Sequence, residues 1–413
     1  MVPDVNDPVW TQIVTGKKRI RSTKATLNLL IQSNNMSYEK DPSPLNVAEL
    51  IDRTHGLFAR YGSIFGAEVA EILKWSGREG GSATIGGSLR SIPEVQAEIA
   101  AGASLFLAGS EMALSQLPRG NWVGGTISYF MTEAGGLLSE DRIFVTRVPS
   151  FSLGATAADY GPENLAQLYR DAPANGFTFV VMPVSTEVLK TFAEQAPTFE
   201  GFLMRPVVGW VSGVRLDRRG KDPAAVFNGK TGAVYTDRCV ALHVALPANK
   251  VADLDIVNIF ESGGGAQVRF EEAGFSVTGC VIDGKPDNLA DYIHRTGIRT
   301  EFPLVGDYNG TSINVSFQSS DTATGVTSLF APVFPGVDYR FAKPVAEYSA
   351  AFENAIVVEA HEPDFACNCV LNYVHGKLEG RKTGQITGPM TFGEIAHQLL
   401  NQTMVRLYLR DAE

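Results

Sequence analysis

The chain is poor in the residues that usually announce a mechanism. Its 413 residues hold only four cysteines and six histidines. Four thiols in a chain this long make no disulfide framework, which points to a reducing compartment. Lys and Arg number 35 against 45 Asp and Glu, a net charge of -10. Phosphate binding is driven by clustered Lys and Arg, so nucleic acid is excluded as a main partner. The one basic run, Lys17-Lys18-Arg19-Ile20-Arg21, reads as a solvated arm. No apolar stretch approaches the roughly 20 residues that a membrane helix needs. The acidic start, Met1 to Asp7, lacks the apolar core of a secretory signal. These absences together predict a cytoplasmic protein with neither a membrane nor a nucleic-acid partner.

Familiar catalytic signatures are missing too. There is no HExxH, no EF-hand loop and no Gly-x-Ser-x-Gly elbow. Asn228-Gly229-Lys230-Thr231 imitates the end of a phosphate-binding loop, but Ala224 stands where that motif needs its first glycine. A β-turn is the better reading. The glycine-rich stretch 77–87 lacks the GxGxxG order. On this ground the chain is not expected to be an enzyme.

What is present is an ordinary globular composition, 44% hydrophobic and 19% charged, long enough to exceed one core and imply two domains. Helical spacing appears at Val47, Leu50, Ile51, Leu57 and Phe58, and again over 66–74. Pro93 opens a third helix whose stripe is Val95 and Ile99. Strands are predicted over 103–108, 122–130, 143–146, 177–182, 205–211, 240–246, 275–282, 311–317, 365–373 and 403–409, and helices over 164–170, 186–195 and 289–295. Residues 350–358 read as helix then strand. Alternation of this kind predicts an α/β (α+β layered) fold, mixed β-sheets covered by helices, in two domains. The turn-forming Asp283-Gly284-Lys285-Pro286 marks the boundary, giving an arm over 1–45 and domains over 46–285 and 286–413.

Three segments carry candidate chemistry. Arg119 to Thr126 places Trp122, Gly124, Gly125 and Thr126 ahead of Tyr129 and Phe130. Adjacent glycines let a backbone approach a ligand closely, and the aromatics could wall a pocket; a tightly packed strand turn is the plainer reading. Cys367-Asn368-Cys369 puts two thiols on one face of a strand. They could serve as nucleophile or, with His361 and His375, as metal ligands, although the spacing matches no standard zinc site; structural thiols are favoured. Phe392-Gly393-Glu394 sets a lone carboxylate in an apolar stretch, costly to bury unless hydrogen-bonded or functional. Its plain alternative is a helix-start carboxylate held by backbone amides.

The last of these segments also carries a resemblance. Cys367 onward, Thr391-Phe392-Gly393-Glu394-Ile395, and Leu400-Asn401-Gln402-Thr403 resemble the C-terminal half of FIST domains. Gly124-Gly125-Thr126 with Glu133-Ala134-Gly135-Gly136 is more loosely similar to the N-terminal half. The likeness runs over about 95–410 and is specific only in the last 50 or so residues. It implies a FIST N-like domain over 46–285 and a FIST C-like domain over 286–413. It further implies a small-ligand sensor whose output acts in trans on a signalling partner, and a homo-oligomer. The pocket would lie between the halves, with Trp122, Tyr129 and Glu394 facing one cavity and Gly124, Gly125, Thr126, Cys367, Asn372, Phe392, Gly393 and Asn401 around it. No cofactor is expected. Some FIST members bind haem, for which His361, His375 or His397 would be the axial ligand. The family's Arg-Gly element is replaced here by Leu371-Asn372-Tyr373, a departure that implies a different ligand.

Overall fold

The computed structural model describes residues 87–308, 311–356 and 362–412. The arm, the helices read over 46–58 and 66–74, and His361 lie outside the described residues.

The helices begin where local chemistry says they should. Ser91 stands at the N-cap of Ile92–Ala100, and Glu94 reaches back to its amide at 2.8 Å, closing a capping box that spans Pro93 in the first turn. Val95 and Ile99, four apart, bury one face. Thr186 caps Glu187–Gln195, which buries Val188, Leu189 and Phe192. Asn288 caps Leu289–Thr296, and Gly297 ends that helix in the left-handed region at φ 66°.

Among the described residues the strands form four six-stranded sheets and one of three strands. In the first sheet the order is Ser88–Ser91, Arg142–Arg147, Leu105–Gly109, Trp122–Thr126, Val226–Asn228, Ala233–Tyr235. The second, central sheet runs Gln398–Leu400, Glu394–Ala396, Val207–Ser212, Gly176–Pro183, Cys239–Ala245, Gly154–Tyr160. The third runs Lys250–Val257, Met404–Asp411, Phe365–Cys369, Gly388–Thr391, Tyr129–Thr132, Gly135–Leu138. A fourth sheet, from Lys285–Asn288 to Thr311–Val315, uses only strands between residues 262 and 342. Each of the first three contains one parallel pair among antiparallel ones. The fold is thus α/β with mixed sheets and covering helices, consistent with a two-domain layout.

Several sequence expectations need correcting. The apolar run 122–130 is two strands in different sheets, because the chain leaves the first sheet after Thr126 and enters the third at Tyr129. Likewise 275–282 divides into Gly274–Val277 and Gly279–Ile282, in different sheets. The cysteine strand stops at Cys369, where Val370–His375 turns helical. Only Gln167–Arg170 of the helix over 164–170 is α-helical. Asp283 and Gly284, at φ 47° and 79°, form the two-residue turn of the hairpin joining Gly279–Ile282 to Lys285–Asn288. Strands on both sides of that turn belong to the fourth sheet. Asn228-Gly229-Lys230-Thr231 is a turn in which the Asn228 carboxamide accepts from the amides of Lys230 and Thr231 at 3.2 and 3.3 Å.

The first three sheets meet at an aromatic knot. Phe106 of the first, Phe179 and Trp210 of the second and Phe365 of the third hold ring centroids 4.2 to 6.0 Å apart. Glycines permit the approach. A Cβ on Gly125 would meet Val181 at 2.5 Å and Ser212 at 3.0 Å, both on the central sheet.

Candidate functional site

Beside this knot lies a cluster of buried groups whose ionisation is strongly perturbed. Glu394 begins the strand Glu394–Ala396 directly opposite Trp210, so both side chains share one face of the central sheet. Its carboxyl is fully buried. The Thr403 amide and hydroxyl both point at Oε2, at 3.2 and 2.9 Å, and Oε1 lies 3.1 Å from the Thr391 hydroxyl. The Cys369 thiol also hydrogen-bonds to the carboxyl. Burial nevertheless dominates and pushes the Glu394 pKa from 4.5 up to about 8, the hydrogen bonds only partly opposing it. At neutral pH the group is therefore mainly a neutral acid. Oε2 has two donors, so the proton belongs on Oε1, donated to Thr391, whose own hydrogen turns to the carbonyl of Asn368 or Gly393 at 3.3 or 3.2 Å.

The two thiols are buried at 1% exposure on the strand facing Glu394. The Cys367 thiol donates to the Gly209 carbonyl at 3.6 Å, bridging the second and third sheets. Burial first, and the Glu394 charge second, raise both thiols well above their ordinary range. A cysteine nucleophile needs the opposite shift. The thiols here are packing groups and weak donors.

Asn372, fully buried on Val370–His375, donates to the Asn368 carboxamide oxygen at 2.9 Å, while its own oxygen has no partner. On the strand opposite Glu394, the Trp210 indole nitrogen and the Ser212 hydroxyl are also buried without partners. Asn401 is 1% exposed; its carboxamide oxygen accepts from the Ser316 amide at 3.5 Å, and its backbone carbonyl accepts from Asn314 at 3.1 Å. Phe392 fills the space over Gly213, where a Cβ would strike its ring at 2.1 Å, and a Cβ on Gly393 would press on Val211 and Leu399 at 3.1 Å. Glu394 is not at a helix start: its one backbone amide donor is Thr403, at the entrance to the strand Met404–Asp411.

The upstream segment divides. Gly125 lies against Ser212, and so close to this cluster. Trp122 points to the other face of the first sheet, in a separate apolar cluster with Val95, Ile99 and Phe227. Its indole donates to the Pro118 carbonyl at 2.9 Å. The strand's alternation explains this, since Trp122 and Val123 must face opposite ways and Val123 joins the large core. Gly124 packs on Leu107, and the Thr126 hydroxyl accepts from the Ala225 amide at 3.0 Å. Tyr129 meets the Tyr373 ring edge-on at 5.4 Å and accepts from the Leu216 amide at 3.1 Å. Trp122 therefore does not share a wall with Glu394.

Haem does not fit what is described. His397, at φ 60° in a tight hairpin, engages the Phe202 carbonyl through Nδ1 at 3.3 Å, and His375 closes a short helix. A cavity beside the cysteine strand has a volume of only ≈ 10 Å³, against the several hundred that a cofactor of that size fills. A larger hollow of ≈ 470 Å³ is open and formed by the single stretch from Leu137 to Arg142, whose Leu138 pairs with Tyr129 but which includes no candidate residue in its lining. Among the described residues no three His, Cys, Asp or Glu side chains gather as a metal site, and no helix is long and apolar enough to cross a membrane.

One arrangement had no signal in the sequence. His243 is 6% exposed between the Tyr160 hydroxyl at 2.7 Å and the Thr178 hydroxyl at 2.8 Å, and Tyr160 donates to Asp171 at 2.8 Å. Tyr160 has one proton, so His243 Nε2 carries the hydrogen and Nδ1 accepts from Thr178. Burial lowers the imidazole pKa to about 4.

Fold and site together define an α/β protein with a neutral acid buried where three sheets meet. Residues 90–410 match the profile of a family of unknown function, DUF6976, and the chain belongs to that family. No curated protein matches the chain.

Proposed function

We propose that this chain is a small-ligand-binding protein of FIST-like type, working as a sensor, with its site at the Glu394 cluster. The observation that carries the reading is a neutral carboxyl sharing its sheet face with unpartnered donors. Glu394 is fully buried, and the Trp210 indole and Ser212 hydroxyl beside it have no partner. Buried polar groups are costly when unpaired, and unpaired ones cluster where a ligand completes them. Strands from 207–212 and from 365–404 both contribute, which supports a pocket assembled from distant parts of the chain. Four free, buried thiols support a reducing home such as the cytoplasm. Output in trans to a signalling partner and self-association belong to the same reading.

Native mass spectrometry of the gently purified full chain is the test. A co-purified molecule that leaves on denaturation, and is depleted from a Ser212→Ala variant that keeps its unfolding midpoint, supports the site. The bare chain mass in the native spectrum, together with no shift of the unfolding midpoint across a metabolite library, refutes it.

A further inference from the structure

We propose that the cavity on the far side of the cysteine strand binds one water molecule, which joins Asn368 to Thr383 and ties the segment 376–387 to the third sheet. Asn368 and Thr383 line this space with Thr387, Met131, Met404 and Ile386, and its volume is ≈ 10 Å³. That is about the room one water occupies. Asn368 is 3% exposed and Thr383 fully buried, yet the Asn368 Nδ2 and the Thr383 Oγ1 have no partner in the protein.

The direction of the Asn368 amide is fixed by its other half. Its Oδ1 accepts from the Cys369 amide at 2.7 Å and from Asn372 at 2.9 Å. A backbone amide can only donate, so the oxygen must face it and Nδ2 must turn away. A water in the cavity accepts from Nδ2 and exchanges a hydrogen bond with the Thr383 hydroxyl, which can donate or accept. Thr387 donates to the Gly87 carbonyl at 3.3 Å and keeps acceptor capacity for a third contact. A buried water needs two to four such partners. The lining holds no charged side chain, which argues against an ion, and the thioethers of Met131 and Met404 compete only weakly for hydrogen bonds.

A crystal structure of the full chain, at a resolution that shows ordered solvent, is the direct test. The expected result is one density peak within hydrogen-bonding distance of Asn368 Nδ2 and Thr383 Oγ1. Thr383→Val should lose that peak and lower the unfolding midpoint, while Thr383→Ser should keep the peak and most of the midpoint. Absence of the peak from the parent protein, or an Asn368 Nδ2 bonded to a protein acceptor, overturns the proposal. So does a Thr383→Val protein as stable as the parent. If the valine variant fails to fold, the parent and serine structures decide alone.

Discussion

Replacing Glu394 by glutamine should make the protein more resistant to alkaline pH, and the size of the effect follows from burial. The folded carboxyl titrates near 8 against an ordinary value of 4.5. A group whose folded pKa is raised contributes stability that is complete below the unfolded pKa and is lost as pH rises through the folded one. Between 4.5 and 8 the unfolded chain has released the proton and the native one has kept it, so stability falls by about 1.4 kcal/mol per pH unit. Over that window of 3.5 units the loss is about 5 kcal/mol. Glutamine does not titrate and preserves the shape. Its amide takes the place of the protonated Oε1, donating to Thr391, while its oxygen keeps the two Thr403 donors. Other titrating groups are common to both proteins and cancel in the difference. Urea unfolding of parent and Glu394→Gln at pH 5, 6.5 and 8 should show the variant gaining steadily on the parent. A difference that stays flat with pH would mean that Glu394 is not held protonated. A difference of opposite slope would mean that the Thr403 donors outweigh burial and hold a carboxylate.

Two further outcomes follow from other buried groups. His243, with its pKa lowered to about 4 from 6.5, should destabilise the fold as pH falls through that window, because the unfolded imidazole takes up a proton that the native one refuses; the loss is about 3 kcal/mol. His243→Gln should remove that acid sensitivity in thermal melts between pH 7 and 4.5, and equal acid slopes for both proteins would refute the assignment. Cys239, Cys280, Cys367 and Cys369 are buried and free, and burial pushes Cys239 up to about 12 and Cys280 to about 11. Iodoacetamide at pH 7.5 should therefore label the native chain slowly and the denatured, unreduced chain four times; a mass showing fewer than four adducts would reveal a protected pair.

The sequence made some of this architecture legible because it rests on local rules. Ser91 with Glu94, Thr186 and Asn288 mark helix starts by chemistry that acts over three residues. Strand alternation correctly put Cys367 and Cys369 on one face, and the cost of burying a lone carboxylate singled out Glu394. The sheet partners were not legible. Glu394 faces Trp210 across 184 residues of chain, and nothing in either segment names the other. Glycine pairs were ambiguous for the same reason: Gly125 approaches Ser212, while Gly124, one residue earlier, only clears Leu107. Trp122 looked like a pocket wall because aromatic content carries no sign for the face it occupies. The segment 262–265, with three consecutive glycines, gives no strand signal, yet it forms part of Ser262–Arg269, whose ends at Ser262 and Gln267–Val268 pair with Asp338–Ala342 on either side of a register shift.

The packing around Glu394 constrains how anything could reach it. The contacts that close the site are glycines under large groups: Gly125 of the first sheet under Val181 of the central one, and Gly213, just past the central strand Val207–Ser212, under the Phe392 ring that leads out of the third sheet. Contacts of that kind join whole sheets, and they cannot swing aside as a loop tip does. A ligand larger than water must therefore bind a conformation in which these sheet contacts have parted. If that conformation is a small fraction of the population, the apparent affinity falls by the same fraction. The neutral state of Glu394 then has a mechanical consequence. Opening readmits water, removes the burial that holds the pKa near 8, and lets the acid ionise at neutral pH. Opening should thus release a proton, and a ligand that binds the open form should bind more tightly as pH rises toward 8.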